Sequence, residues 1–133
     1  MADSFNFELV SPERLLVSSK VTEVAIPATE GEMTVMANHA PFMTTIRPGV
    51  VSVKDASGKV EKFVVLGGFA DIVPNGCTIL AETAYTVSDF SKDVLAKRIE
   101  LAEADLEGAQ GDENKTRISQ LLSDLANLRS VAA

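Results

Sequence analysis

Through residue 76 of this 133-residue chain, proline or glycine returns at short intervals: Pro12, Pro27, Gly31, Pro41, Pro48-Gly49, Gly58, Gly67-Gly68, Pro74 and Gly76. Proline locks φ and has no amide donor, so strand pairing stops or turns aside where it stands. The segments between these punctuation marks are short and rich in β-branched residues. Short strands broken at this spacing point to a β-sandwich or barrel.

Phe5-Asn6-Phe7-Glu8-Leu9-Val10 alternates apolar and polar residues, the period of a half-buried strand. Ser11-Pro12-Glu13 breaks it. Leu15 to Val17 is a short pairing segment, and Val21 to Ile26 is a β-branched strand ending at Pro27. Met33 to Met36 is a further short strand. Val50 to Lys54 and Val60 to Leu66 flank Asp55-Ala56-Ser57-Gly58-Lys59, a hairpin in which Gly58 supplies the positive φ. Gly67-Gly68 marks a bulge or a close backbone approach. Pro74-Asn75-Gly76 is a turn between Asp71–Val73 and Thr78–Ala81.

The pattern changes near Val87. Ser88, Asp89 and Ser91 are candidate helix caps, and no Gly or Pro follows until Gly108. Leu95, Ile99, Ala102 and Leu106 fall on one helical face. Gly108 is placed to end that helix, and Asp112 to cap a second. Ile118, Leu121, Leu122, Leu125 and Leu128 then form a stripe at helical spacing. Two amphipathic helices with a short loop fold back as an antiparallel pair. The expected architecture is mainly β plus α: an N-terminal β-sandwich over residues 1–86 and a C-terminal two-helix hairpin over 87–133.

The formal charge of −7 leaves no basic footprint for nucleic acid and none for an anionic membrane surface. No apolar run is long enough to span a bilayer. Met1 to Val10 lacks the basic and apolar regions of a signal peptide. Cys77 is the single cysteine, so a disulfide within the chain and a cysteine metal cluster are both excluded. Together these features describe a soluble protein of a reducing compartment.

Candidate functional residues concentrate between Gly31 and Gly49. His39 is the only histidine and sits in the loop Asn38-His39-Ala40-Pro41. With no nucleophile or ligand set in the sequence beside it, His39 reads as a loop residue bonded locally or touching a partner. Glu30-Gly31-Glu32 reads either as a solvated acidic turn or as a loop presented to a partner. Gly67-Gly68 lacks the Lys-Ser/Thr of a phosphate loop.

The runs Gly31-Glu32-Met33, His39-Ala40-Pro41 and Pro48-Gly49 resemble the signature of the epsilon subunit of F-type ATP synthases. Leu66-Gly67-Gly68-Phe69-Ala70-Asp71-Ile72 and Leu80-Ala81-Glu82-Thr83-Ala84 are similar to its later part, and the likeness covers nearly the whole chain. The resemblance implies a β-sandwich followed by two helices. It implies a non-catalytic rotor subunit of the central stalk, peripheral on the cytoplasmic face of an energy-transducing membrane. Such a subunit binds gamma with one side of the sandwich and the c ring with one end, with Glu30, Gly31, Glu32, His39, Ala40 and Pro41 as partner contacts. It also implies a hairpin that in an extended state reaches the alpha and beta subunits and inhibits ATP hydrolysis.

Some members of that family bind ATP through Leu or Ile, then Asp, two residues and Arg-Ala. The matching run here is Phe90-Ser91-Lys92-Asp93-Val94-Leu95, with Ser91 in place of the acid and Val94 in place of the Arg. A valine cannot replace the phosphate-pairing guanidinium, so no nucleotide cofactor is expected. Two other classes stay open on the residues alone: a free-standing β-sandwich adaptor with a helical tail, and an enzyme. Exposed apolar surface favours the stalk subunit over the adaptor.

Overall fold

The structure is a computed structural model that describes residues 4–29 and 31–131, and the chain divides between Ala84 and Tyr85 into two compact units. The first unit contains β1 (Phe5–Val10), β2 (Leu15–Ala28), β3 (Gly31–Met36), β4 (Phe42–Ile46), β5 (Gly49–Asp55), β6 (Val60–Val65), β7 (Gly68–Val73) and β8 (Gly76–Ala81). A short strand, β9 (Ala84–Thr86), leads across the boundary.

Strands β1, β8, β7 and β4 lie side by side, as do β3, β2, β5 and β6. The long strand β2 belongs to both groups. Its first half pairs with β1, and its second half pairs with β3 and β5. A register shift between Val21 and Glu23 marks where it passes from one to the other. An unpaired residue of this kind bends a strand and strengthens its twist, so one strand can serve two packed layers.

The core follows from period two. Phe5, Phe7 and Leu9 are buried while Asn6 and Glu8 between them are exposed. They meet Val24, Ile26, Val51, Val65, Ile72 and Ile79, all fully buried. Burying each such side chain stabilises the unit by ~1.5–3 kcal/mol.

The expected end of a strand at Pro27 is corrected: β2 is one strand of 14 residues that runs through Pro27 to Ala28. The Pro27 carbonyl accepts from the Arg47 N–H at 3.0 Å, so its polar backbone edge faces away from β3. The donor that proline lacks is therefore not one that β3 needs. The Gly67-Gly68 expectation holds. A Cβ on Gly68 would collide with the Leu80 carbonyl oxygen, and φ there is +146°. The hairpin at 55–59 also holds, with Gly58 at φ +89°. Asp55 Oδ1 accepts from Ser57 Oγ at 2.6 Å and from the N–H groups of Ser57 and Lys59 at 2.9 and 3.0 Å. Those bonds, the Ser57 hydroxyl first, hold its carboxyl below the usual value.

In the second unit, Thr86 caps a single 3-10 turn (Val87–Asp89), and Ser91 caps α1 (Lys92–Gly108) by accepting from the Val94 N–H at 3.2 Å. Leu95 and Ala102 are buried and Ile99 and Leu106 half-buried, the stripe expected from spacing. It packs along α2 (Asp112–Ala126), where Ile118 and Leu125 are buried, followed by Leu128 in a final 3-10 turn (Asn127–Ser130). Two boundary expectations are corrected. Gly108 lies inside α1, which ends because Ala109 turns extended. Gly111 at φ +87° takes the N-cap position of α2, and Asp112 sits in its first turn beside Glu113, where negative charge complements the helix dipole. Asp124 is buried and accepts from Gln120 Nε2 at 3.1 Å, a pairing the leucine pattern does not reveal.

Candidate partner-binding surface

The outward positions of β4, β7, β8, β1 and the start of β2 line up in rows fixed by register. One row runs Thr45, Phe69, Leu80, Val10, Leu15. The next runs Met43, Asp71, Thr78, Glu8, Ser18, and a third runs Val73, Gly76, Asn6, Lys20. In the first row Phe69, Leu80 and Leu15 are 52%, 52% and 53% exposed, and Met43 in the second is 68% exposed. Four strands thus present large apolar side chains side by side, where water-facing positions normally alternate to polar. A face of this kind on one domain marks an interaction site.

The outward positions of the other group differ. Glu23 and Lys54 share one row, and Thr34, Ser52 and Lys62 share another. Met36 and Val60 stand in the first of these rows, 56% and 50% exposed, so that side intersperses charged with apolar positions.

The candidate contact residues fall in two places. Gly31 and Glu32 begin β3, and Gly31 pairs with Ala28, which also pairs with Ile46. The Thr29 N–H donates to the Thr45 carbonyl at 3.1 Å, which ties this end to β4. Glu30 lies outside the described residues. His39, Ala40 and Pro41 follow the opposite end of β3. The Asn38 N–H donates to the Pro74 carbonyl at 2.8 Å, which seats that loop beside the β7–β8 turn. Five residue steps along β3, roughly 16 Å, separate Gly31 from Met36. The two groups therefore mark opposite ends of the sandwich. His39 is half-buried, and its Nδ1 lies 2.8 Å from the Ala40 carbonyl oxygen, the local bond of a loop residue. Next to its loop stand Phe42, 46% exposed, and Val73, 41% exposed.

Ser91 and Val94 are joined to each other at the start of α1, Ser91 Oγ serving as the cap. Among the described residues no group of three or more His, Cys, Asp and Glu side chains is arranged to hold a metal, and no helix is long and apolar enough to cross a membrane. Cys77 is buried, and burial, with the negative charge of Asp71, pushes its thiol up to about 12. Such a thiol is inert as a nucleophile.

Leu15 and Met43 lie outside the signature runs, and the runs that contain Phe69 and Leu80 do not say which way those side chains face. Their signal is weak but present. Phe69 alternates with Ala70 and Ile72, so it must face out if they face in. In Thr78-Ile79-Leu80-Ala81 the run is too apolar to tell the two faces apart without register.

Residues 4–87 match the family model described as the ATP synthase, Delta/Epsilon chain, beta-sandwich domain. Among curated proteins, the ATP synthase epsilon chain of Rhizobium meliloti (strain 1021) is 67% identical over 131 residues, covering 98% of this chain and 97% of its own. That of Sinorhizobium medicae (strain WSM419) is 65% identical with the same coverage. Among solved structures, a chain of the Euglena gracilis mitochondrial ATP synthase, from a cryo-EM structure of its OSCP/F1/c-ring, superposes with a TM-score of 0.74. It is 23% identical, and the match covers 96% of this chain and 80% of that one. The last likeness is one of fold.

Proposed function

As this chain belongs to the ATP synthase delta/epsilon chain family, we propose that it is a non-catalytic rotor subunit in the central stalk of an F-type proton-translocating ATP synthase. It couples rotation of the c ring to catalysis in other subunits. Through the complex it is peripheral, on the cytoplasmic face of an energy-transducing membrane. The observation that carries this reading is the outward apolar row Phe69, Leu80, Val10 and Leu15. Covering its three half-exposed side chains contributes about 1 kcal/mol apiece. A free-standing adaptor would leave that surface wet.

Gamma docks on this face, and the face extends at one end to Met43 and the His39-Ala40-Pro41 loop. The c ring meets the opposite end, where Gly31 and Glu32 begin β3, with Glu30 as the third contact of that run. Contacts at opposite ends suit a part that transmits torque, because the packed β layers between them resist deformation. The helical hairpin is the regulatory element. Short helices owe their stability to a packed face and detach at modest cost, and in an extended state this pair reaches the alpha and beta subunits and restrains ATP hydrolysis. Ser91 and Val94 stand where nucleotide-binding members carry an acid and an Arg, so the chain binds ATP weakly or not at all; titration calorimetry with tight uptake would overturn that statement.

A tagged chain expressed at its native level and recovered from gently solubilised membranes tests the assignment. Co-recovery of gamma, alpha, beta and c is the expected result. Recovery of the chain alone would replace this reading with the adaptor.

A further inference from the structure

The docking face is not uniformly apolar, and the carboxylate nearest its apolar row has a defined geometry. Asp71 is exposed on β7 with Phe69 and Val73 before and after it on the same face. Across the strands it is opposite Met43 on one side and Thr78 on the other. Glu8 lies beyond Thr78 in the same row, and Ser18 beyond Glu8. The row contains no cation. Among the described residues the three rows hold one cation, Lys20, one row further and opposite Asn6, nearer Glu8 than Asp71. Asp71 is thus a carboxylate framed by Met43, Phe69 and Val73.

Beside it lies an open groove of about 300 Å³ lined by Val10, Pro12, Gly68, Phe69, Leu80 and Glu82. The groove is large enough to take an apolar side chain. Leu80 and Thr78 are two residues apart on β8, so the groove and the acid row are ~7 Å apart. Asp71 and Glu8, each one strand from Thr78, stand roughly 10 Å apart at the backbone.

A partner that covers this face removes Asp71 from water. An ionised carboxylate buried without a counter-charge costs several kcal/mol, more than the neighbouring apolar row supplies. Resting on the rotor reading above, which supplies the face but says nothing of its selectivity, we infer that Asp71 is the specificity determinant of the docking face. The matching surface of gamma carries an Arg or Lys that lies over Thr78 between Asp71 and Glu8, about 7 Å from an apolar side chain seated in the groove. That spacing is two residues of a strand. Apolar contact supplies affinity; Asp71 rejects every surface that offers no cation at that point.

The experiment measures association of the full chain with purified gamma at low and high salt, for the wild type, Leu80→Asp, Asp71→Asn, Asp71→Ala and Asp71→Asn/Glu8→Gln. Native folding of each variant is confirmed by protection of Cys77 from thiol reagent. Leu80→Asp abolishes association; if it binds as the wild type does, gamma docks elsewhere and the reading of the face fails. With Leu80→Asp inactive, the two arms for Asp71 are opposite in sign. A cation on gamma makes Asp71→Asn and Asp71→Ala weaker by about 10- to 100-fold at low salt, because the cation is left unpaired. It also makes the association rate of the wild type fall with salt more steeply than that of the double variant. Unchanged or tighter binding by Asp71→Ala means that gamma offers no cation there, and overturns the inference while leaving the docking face intact.

Discussion

Gly68→Ala tests how tightly β7 and β8 are pressed together. An added Cβ would strike the Leu80 carbonyl oxygen and lie 2.9 Å from Ala81 Cα and 3.1 Å from the Leu80 carbonyl carbon. All three are backbone atoms of the paired strand, so nothing flexible can move aside. The residue is also held at φ +146°, a region costly to any side chain. Strain of ~1–3 kcal/mol adds to a similar cost for displacing packed backbone, so the β unit loses roughly 3–5 kcal/mol. Domains are stable by only about 5–15 kcal/mol, and with a urea slope near 2 kcal/mol/M the midpoint falls by roughly 2 M. Gly58→Ala is the control: φ is +89°, but nothing lies within 4 Å of the new methyl, so it loses only about 1 kcal/mol. The assay is pulsed thiol labelling of Cys77 across a urea series, because that buried residue reports its own unit and not the helical hairpin. A loss for Gly68→Ala no greater than that for Gly58→Ala would refute the steric argument.

Three further outcomes follow from single side chains. Cys77 is held protonated in the fold, its thiol raised from 9.0 to about 12. The unfolded chain therefore releases a proton above pH 9 that the folded chain keeps, and stability relative to Cys77→Ala falls as pH rises from 9 towards 12, by roughly 2 kcal/mol at pH 10.5; parallel stability curves for the two proteins would contradict this. Ser91→Ala removes the cap of α1 and lowers the thermal midpoint of the helical signal at 222 nm by an amount worth ~1 kcal/mol, while Ser91→Asp, which keeps a capping oxygen, preserves it. Deleting residues 88–133 raises ATP hydrolysis by the assembled synthase if the hairpin is its brake; equal turnover with and without the hairpin would remove that role.

Much of the fold is local and was legible before any coordinates. Phe5 to Leu9 alternates, Gly58 closes a hairpin, and the Leu95 to Leu106 stripe sets a helical face. Each is decided within a few residues, by side-chain period or by a φ that only one residue type adopts readily. Where neighbours in space decide, the same reasoning stopped short. Pro27 reads as a strand end, yet β2 passes through it because the Arg47 amide, 20 residues on, lies on the side where the missing donor is not needed. Glu30, Gly31 and Glu32 and the His39 loop read as candidate partner contacts, with no end of the sandwich assigned to the loop. A six-residue strand puts Gly31 and the His39 loop at opposite ends. The apolar row of Phe69, Leu80, Val10 and Leu15 comes from four strands, and cross-strand register alone makes it a surface.

By itself the sequence determined the class of fold, the β and helical parts, and, through its resemblance, the family. Short-range periodicity and turn chemistry carry the architecture, and the family signature is written in contiguous residues. The tertiary structure alone decided which apolar residues face water, which ends of the sandwich hold the candidate contacts, and that Asp71 stands in an apolar frame. Those are properties of pairing between distant segments, and a chain read in one dimension does not contain the register that sets them.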